Sequence, residues 1–345
     1  MKTSSDKAVR PLPFSRWWPV VAGALCGVVL RLIFWGSPRY PWSAMHPAFL
    51  GVAPLVVGAV TVYVAELSAR RSWSYYLFAG MLANVLFVGA TMALLIEGLI
   101  CAILIVPLFA VYGAVGGALM GAICRGTNWP KKSVVYSFSV MPLLLAALMP
   151  EHAAEPFLGA IERTVVVNAD APTIWRQLLD TRDISAAEVG QAWMYRIGVP
   201  VPVSGVASLT PDGLVRDVRM GKGIHFTQHS TQWQANRYVR WTYQFSDDSF
   251  PPGALDDHVK IGGQYFDVID TEYVLKPIGS NSTALTARMH YRVSTQFNWY
   301  AKRLASGLIG NFEEAVLGLY AGLATRTQRV PVPKTVSIRS GTAQQ

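Results

Sequence analysis

Cysteine is scarce. Only Cys26, Cys101 and Cys124 occur in 345 residues, all inside apolar runs. That excludes a disulfide framework, and it excludes Cys-based zinc or nucleophile chemistry in the carboxyl-terminal half, which has no cysteine. Charge is scarce too. Charged residues make up 15% of the chain and hydrophobic residues 52%, whereas a soluble domain carries about 25% charged residues. Mean hydropathy is +0.30, so part of the chain belongs in lipid. Acids are nearly missing from residues 1–150, which hold 11 Lys and Arg against Asp6, Glu66 and Glu97, a balance of +8. Residues 151–345 balance at +1, with bases and acids interspersed. The basic excess therefore sets membrane topology and argues against a nucleic-acid partner. Serine-nucleophile G-x-S-x-G and P-loop motifs are absent, and Gly221-Lys222-Gly223 lacks the spacing of a phosphate loop.

What is present in the first half is a series of apolar runs, after a basic lead over residues 1–16. They are Trp18–Phe34, Pro47–Val64, Tyr75–Ile96, Leu99–Cys124 and Val134–Met149. A helix needs about 20 residues to cross the hydrocarbon, so these predict about five crossings over residues 17–150, the first, second and fifth being short. A signal peptide centred on Val20–Leu30 is the competing reading of the first run, but no small-residue cleavage site follows it. Glu97-Gly98 parts the third and fourth runs as a tight hairpin whose carboxylate belongs at a surface, since a charge at mid-bilayer costs at least ~2.5 kcal/mol. With the amino terminus inside, inner segments carry Lys2, Lys7, Arg10, Arg16, Arg70, Arg71, Arg125, Lys131 and Lys132, and outer ones Arg39 with Arg31 close by. Five crossings then put residue 151 onward outside the cytoplasm of a bacterium, in the periplasm. If Val134–Met149 only lies in the interface, that side reverses. Gly113, Gly117 and Gly121 give the fourth run a small-residue face for close helix packing, within the bundle or between copies.

The second half reads as α+β. A β-branched run, Thr164–Val167, precedes a helix opened by Ala171-Pro172, where a proline's missing N–H costs nothing. Strand-like runs follow at Leu214–Met220, Ile224–Trp233, Tyr238–Phe245, Gln264–Leu275 and Ala284–Val293, with turn residues between them, which predicts an antiparallel meander. Asn298–Ala324 is a helix with Leu304, Leu308, Phe312, Val316, Leu319 and Leu323 on one face. Arg326–Gln345 is expected to be a disordered tail. Alternation puts Val239, Trp241, Tyr243 and Phe245 on one strand face, and Leu285, Ala287, Met289, Tyr291 and Val293 on another. A curved sheet gripping the last helix accounts for both apolar surfaces.

The stretch TVVVNADAPTIWRQLLD, with Ala169, Ile174, Trp175, Leu178 and Asp180 in register, resembles the opening of the START/Bet v 1-like superfamily, also called SRPBCC or polyketide cyclase/dehydrase-like. GGQYFDVIDTEYVLKPIGSNSTALTARMHYRV is similar to its paired strands, and NWYAKRLASGLIGNFEEAVLGLYAGLA to its closing helix. The likeness covers about residues 161–325. The whole chain also resembles uncharacterised bacterial proteins that join a multi-span membrane region, including Glu97–Gly121, to such a domain. The resemblance implies a cavity between sheet and helix that holds a lipid, sterol, polyketide or similar molecule, and it leaves catalysis open.

Candidate ligand-binding residues are Trp241, Tyr243, Phe245, Met289, Tyr291, Leu308 and Phe312. Candidate catalytic residues are His229, His290, Asp270 and Glu272, a histidine–carboxylate acid–base pair if they face the cavity. No metal site or cofactor is expected: His225 and His229, four apart on a strand, stand about 13 Å apart. Three readings follow: a membrane-anchored carrier of a hydrophobic ligand, an enzyme acting on one, or an interaction module with an occluded cavity.

Overall fold

The computed structural model describes residues 17–35, 43–127, 140–148, 154–189, 192–256 and 258–329. The basic lead, most of the fifth apolar run and the tail beyond Arg329 lie outside them.

Among the described residues, four long apolar helices and a short one build the first half: α1 (Trp18–Ile33), α2 (Ala53–Glu66, continued upstream by a π turn at Ala48–Val52), α3 (Trp73–Ala93), α4 (Leu99–Gly126) and the short α5 (Met141–Leu148). Three helices, Ala48–Glu66, Trp73–Ala93 and Leu99–Gly126, are long and apolar enough to cross a membrane. Among the described residues, then, three candidate spans stand where about five were expected, and most of the fifth run lies outside the described residues. The first run yields only 16 helical residues, ending beside Arg31, and of the fifth run only α5 (Met141–Leu148) is described. α5 packs against the start of the Ala48–Glu66 span.

Glycine lets the helices meet. A Cβ on Gly113 would stand 2.4 Å from Gly80 O, on Gly117 2.3 Å from Tyr76 O, and on Gly121 2.2 Å from the Tyr76 ring. The small-residue face is thus covered by α3 of the same chain. Pro107 falls within α4, which remains one continuous helix. Glu97 is not a free loop carboxylate, because Arg31 Nε donates to its Oε1 at 2.6 Å.

The second half is one eight-stranded antiparallel sheet in the order β1-β8-β7-β6-β5-β4-β3-β2. The strands are β1 (Phe157–Val167), β2 (Asp180–Thr181), β3 (Pro202–Thr210), β4 (Gly213–Met220), β5 (His225–Gln234), β6 (Tyr238–Gln244), β7 (Phe266–Gly279) and β8 (Ser282–Val293). Between β1 and β3 lie α6 (Ala171–Leu179), α7 (Ala186–Val189) and α8 (Trp193–Arg196). Asp170 caps α6, accepting from the Thr173 amide at 2.9 Å, ahead of Pro172 in the first turn. α9 (Asn298–Arg329) closes the fold against β1 and β8. The curved sheet on a carboxyl-terminal helix is therefore present. Among the differences from expectation, two boundaries and one strand stand out. β1 begins at Phe157, because Phe157–Ala160 pairs with Val293–His290, so the linker to the helical half is shorter than residues 151–160. β3 was missed because Pro202 and Gly205 weaken the strand signal, while pairing with β4 supplies the order. α9 extends to Arg329, five residues beyond the expected end at Ala324.

The two halves touch at the Glu97 end of the bundle. Tyr300 Oη of α9 donates to the Leu104 carbonyl of α4, and Phe297 packs against the helical core.

Candidate functional site

An apolar cavity of about 260 Å³ lies between the concave sheet face and α9. Ligand pockets commonly hold about 300–1,000 Å³, so this one is at the small end. Its α9 wall is Leu304, Leu308, Phe312, Val316 and Leu319, the apolar face read from the sequence. Its sheet wall includes Val218, Phe226, Tyr243, Val268, Tyr273 and Met289. The loop between β6 and β7 adds Leu255, His258 and Val259, and α4 adds Ile100 and Leu104. The helical half thus supplies part of the cavity wall.

Of the seven expected ligand residues, Tyr243, Met289, Leu308 and Phe312 line the cavity. Trp241 does not: it is fully buried in the cluster with Val239, Ile174 and Leu178 beneath α6. Phe245 packs on Phe226 and Phe250 under the β6–β7 loop. Tyr291 is held against α9, its hydroxyl 2.7 Å from Ser306 Oγ, and a Cβ on Gly159 would strike its ring.

The expected catalytic residues face the other way. β8 points Ala287, Met289 and Tyr291 inward, which turns His290 to the convex face. There His290 Nδ1 lies 2.7 Å from Asp270 Oδ1, Arg240 Nη2 donates to Asp270 Oδ2 at 2.7 Å, and Glu272 lies between Arg240 and Arg288 at 3.9 Å from each. A shallow groove of about 400 Å³ runs beside them, lined by Leu158–Ala160, Arg240, Ile269, Asp270 and His290. On β5, Phe226 and Gln228 line the cavity, so His229 faces out and bonds Thr227 Oγ1 at 3.0 Å. Neither histidine can exchange a proton with a molecule in the cavity.

Arg216 does line the cavity, as does His258 from the β6–β7 loop. Arg216 is 7% exposed. Nη1 donates to Gln228 Oε1 at 3.3 Å and Nη2 to Tyr320 Oη at 2.8 Å, while Nε has no partner. None of these partners is a carboxylate. A Cβ on Gly205 of β3 would stand 2.3 Å from Nη2, so glycine there makes room for the guanidinium. Burial works against the charge, while the Tyr320 hydroxyl that accepts from it and the nearby Tyr273 and Tyr243 work for it, and the net direction is upward from the ordinary arginine value. Burial pushes Tyr243 up to about 12 and Tyr273 well above the ordinary range, so both remain neutral donors. Among the described residues the cavity therefore has an apolar body and, at Arg216, a cationic group with no carboxylate among its hydrogen-bond partners.

Sequence reasoning passed over Arg216, Gln228, Tyr320, His258, Ile100 and Leu104. A signal for the first was present. Leu214, Arg216, Val218 and Met220 share one face of β4 by simple alternation, and an arginine in the middle of an apolar face asks what anion it meets. The contributions of α4 and His258 arise only from tertiary contact.

The fold and cavity define a class: a curved antiparallel sheet closed on a carboxyl-terminal helix around an internal apolar cavity, joined to apolar helices of membrane length. No protein-family model matches the chain, and no curated protein does. Solved structures similar to it include a norcoclaurine synthase point mutant from Thalictrum flavum in complex with a transition-state analogue (14% identity, TM-score 0.31, covering 50% of this chain and 98% of that one). The Zhui aromatase/cyclase from a Streptomyces species is another (16%, TM-score 0.32, 50% and 97%). A START superfamily protein from Mycobacterium smegmatis is a third (18%, TM-score 0.32, 49% and 98%).

Proposed function

We propose that this is a membrane-anchored binding protein for an amphipathic molecule, a lipid-like apolar body carrying an acidic group that pairs with Arg216. The observation that carries this reading is the buried guanidinium with no acidic partner. An isolated charge in a low-dielectric site is costly unless it is paired, and a carboxylate or phosphate entering the cavity would supply that pairing together with charge-assisted hydrogen bonds. The rest of the lining suits an acyl or polycyclic body, with about 25 cal/mol gained per Å² of apolar surface removed from water.

Access from the bilayer fits the same reading. Leu104 lies five residues into α4, about 8 Å along its axis at ~1.5 Å per residue, near the boundary between headgroups and acyl chains. The domain sits at the Glu97 end of the bundle, opposite Arg70, Arg71 and Arg125. Positive residues favour the cytoplasmic side, which supports a domain outside the cytoplasm, at the periplasmic face of a bacterial inner membrane. An enzyme built on His229 or His290 with Asp270 or Glu272 loses its basis, since those groups face away from the cavity.

Titration of the full chain in detergent with the fluorescent fatty acid cis-parinaric acid, and in parallel with its methyl ester, tests the reading. The acid should bind about 10–100-fold more tightly than the ester, the range expected when a charge-assisted hydrogen bond of ~1.5–3 kcal/mol is lost. Equal affinity for acid and ester would remove the acidic group from the proposal.

A further inference from the structure

We propose that Glu97, Cys101, His258 and Asp256 form a binding site for a divalent transition-metal ion of the zinc type, at the junction between the α3–α4 hairpin and the β6–β7 loop. The ligand atoms of Glu97, Cys101 and His258 lie within 4.8 Å of one another. Glu97 ends the turn before α4 and Cys101 lies in the helix's first turn, and the chain's bend at Gly98 brings the two side chains together. His258 arrives from the other half of the molecule. Asp256, two residues before it, is a hydrogen-bond partner of the Cys101 thiol. A Cβ on Gly98 would stand 2.3 Å from Asp256 Oδ2, so only glycine there lets this carboxylate settle over the start of α4.

The donor set is specific in kind. One thiolate, one imidazole and two carboxylates match the ligands that zinc accepts, and the sulfur disfavours magnesium and calcium. Charge balances as well. A thiolate and two carboxylates carry three negative charges, which a divalent ion and Arg31, bonded to Glu97 through Oε1, neutralise. Without an ion and with a neutral thiol, the two carboxylates exceed the one arginine. A second group with similar spacing, Asp270, Glu272 and His290, lacks both features. It has no sulfur, and Arg240 and Arg288 already stand against its carboxylates.

The absence of cysteine beyond residue 124 excludes such chemistry only within the carboxyl-terminal half. Folding brings a cysteine of the helical half to a histidine of the other. Because His258 also lines the cavity, a bound ion would pin the β6–β7 loop to α4 at its wall. This inference does not depend on the ligand proposed above, and its test reads metal alone.

Cobalt(II) serves as a visible probe for such a site. Titrating the full chain in detergent with cobalt(II) chloride should produce a near-ultraviolet thiolate-to-cobalt band that saturates at one ion per chain and is displaced by zinc. Cys101→Ser should abolish the band. His258→Ala should weaken cobalt binding at least about tenfold, a loss that even an outer-shell partner can cause. The double variant Cys26→Ser/Cys124→Ser, in which Cys101 is the sole thiol, should keep the band and so separates a lost ligand from a lost fold. No thiolate band in the parent chain, a band that survives Cys101→Ser, or one that vanishes in the double variant would each overturn the site.

Discussion

Leu95 holds φ at 56°, in the left-handed region, immediately after α3, and its side chain is 92% exposed. Its amide donates to the Met92 carbonyl and the next amide, of Ile96, to the Thr91 carbonyl at 2.9 Å. This is the helix stop that glycine normally fills, because a Cβ there is crowded by about 1–2 kcal/mol. Leu95→Gly removes that crowding and loses no packing. Allowing for the extra chain entropy of glycine, it should stabilise the detergent-solubilised protein by about 0.5–1 kcal/mol, seen as a higher thermal midpoint. At the same scale, Arg216→Met should lower cis-parinaric acid affinity about 10–100-fold and leave the methyl ester nearly unaffected. The histidines attracted attention in the sequence because titratable groups on strands invite chemistry. Arg216 did not, since the faces of the Leu214–Met220 strand were not assigned and an arginine there looks like surface until the strand's inward face is known.

At the scale of elements, the spacing of Gly113, Gly117 and Gly121 was legible and its partner was not, because periodicity marks a close approach without saying which helix approaches. With Tyr76 O 2.3 Å from a Cβ at 117, Gly117→Leu must push α3 away. The substitution should cost about 1–3 kcal/mol or more, as overpacking of a tight contact does, measured as a lower thermal midpoint in detergent. The apolar face of α9 was equally legible, yet it conceals Glu313. This residue is 1% exposed and its carboxylate has no side-chain hydrogen-bond partner. Burial pushes its pKa up to about 7, against the smaller opposing pulls of Arg163 and the Met289 backbone. The folded chain therefore keeps the proton up to about pH 7, whereas the unfolded chain releases it near the ordinary value of 4.5. Folded protein binds more protons across that window, so this group's contribution to stability falls as pH rises through it. Glu313→Gln should remove that fall and leave the variant more stable than the parent above pH 7, by on the order of 1–2 kcal/mol after discounting for water reaching the carboxyl edge. A pair of denaturation series at pH 5 and pH 8 separates the two cases. Glu313 was invisible in the sequence because Glu313-Glu314 reads as a solvated pair, and only the wrap of α9 around β1 and β8 hides the first and exposes the second.

At the scale of the whole molecule, composition divided the chain into an apolar helical half and an α+β half, and element order matched a curved sheet closed on its last helix. The junction could not be read. Which end of the bundle meets the domain depends on long-range contacts: Tyr300 with Leu104, His258 beside Cys101, and Ile100 in the cavity wall. Among the described residues three helices reach spanning length rather than five, because apolar length was read as helix length, whereas α1 stops after 16 residues. The contacts at the Glu97 end lead to an expected topology. A phosphatase that works only in the periplasm, fused after Thr325, should be active, and an inactive fusion of normal abundance would put the domain in the cytoplasm. The most direct check of the binding reading is native mass spectrometry of the full chain released from detergent. The parent chain should carry an adduct that fragments to an amphipathic acid, and Arg216→Met should lose most of it while the chain stays folded. A parent chain at its bare mass that also takes up no added fatty acid, or an adduct retained unchanged in Arg216→Met, would contradict it.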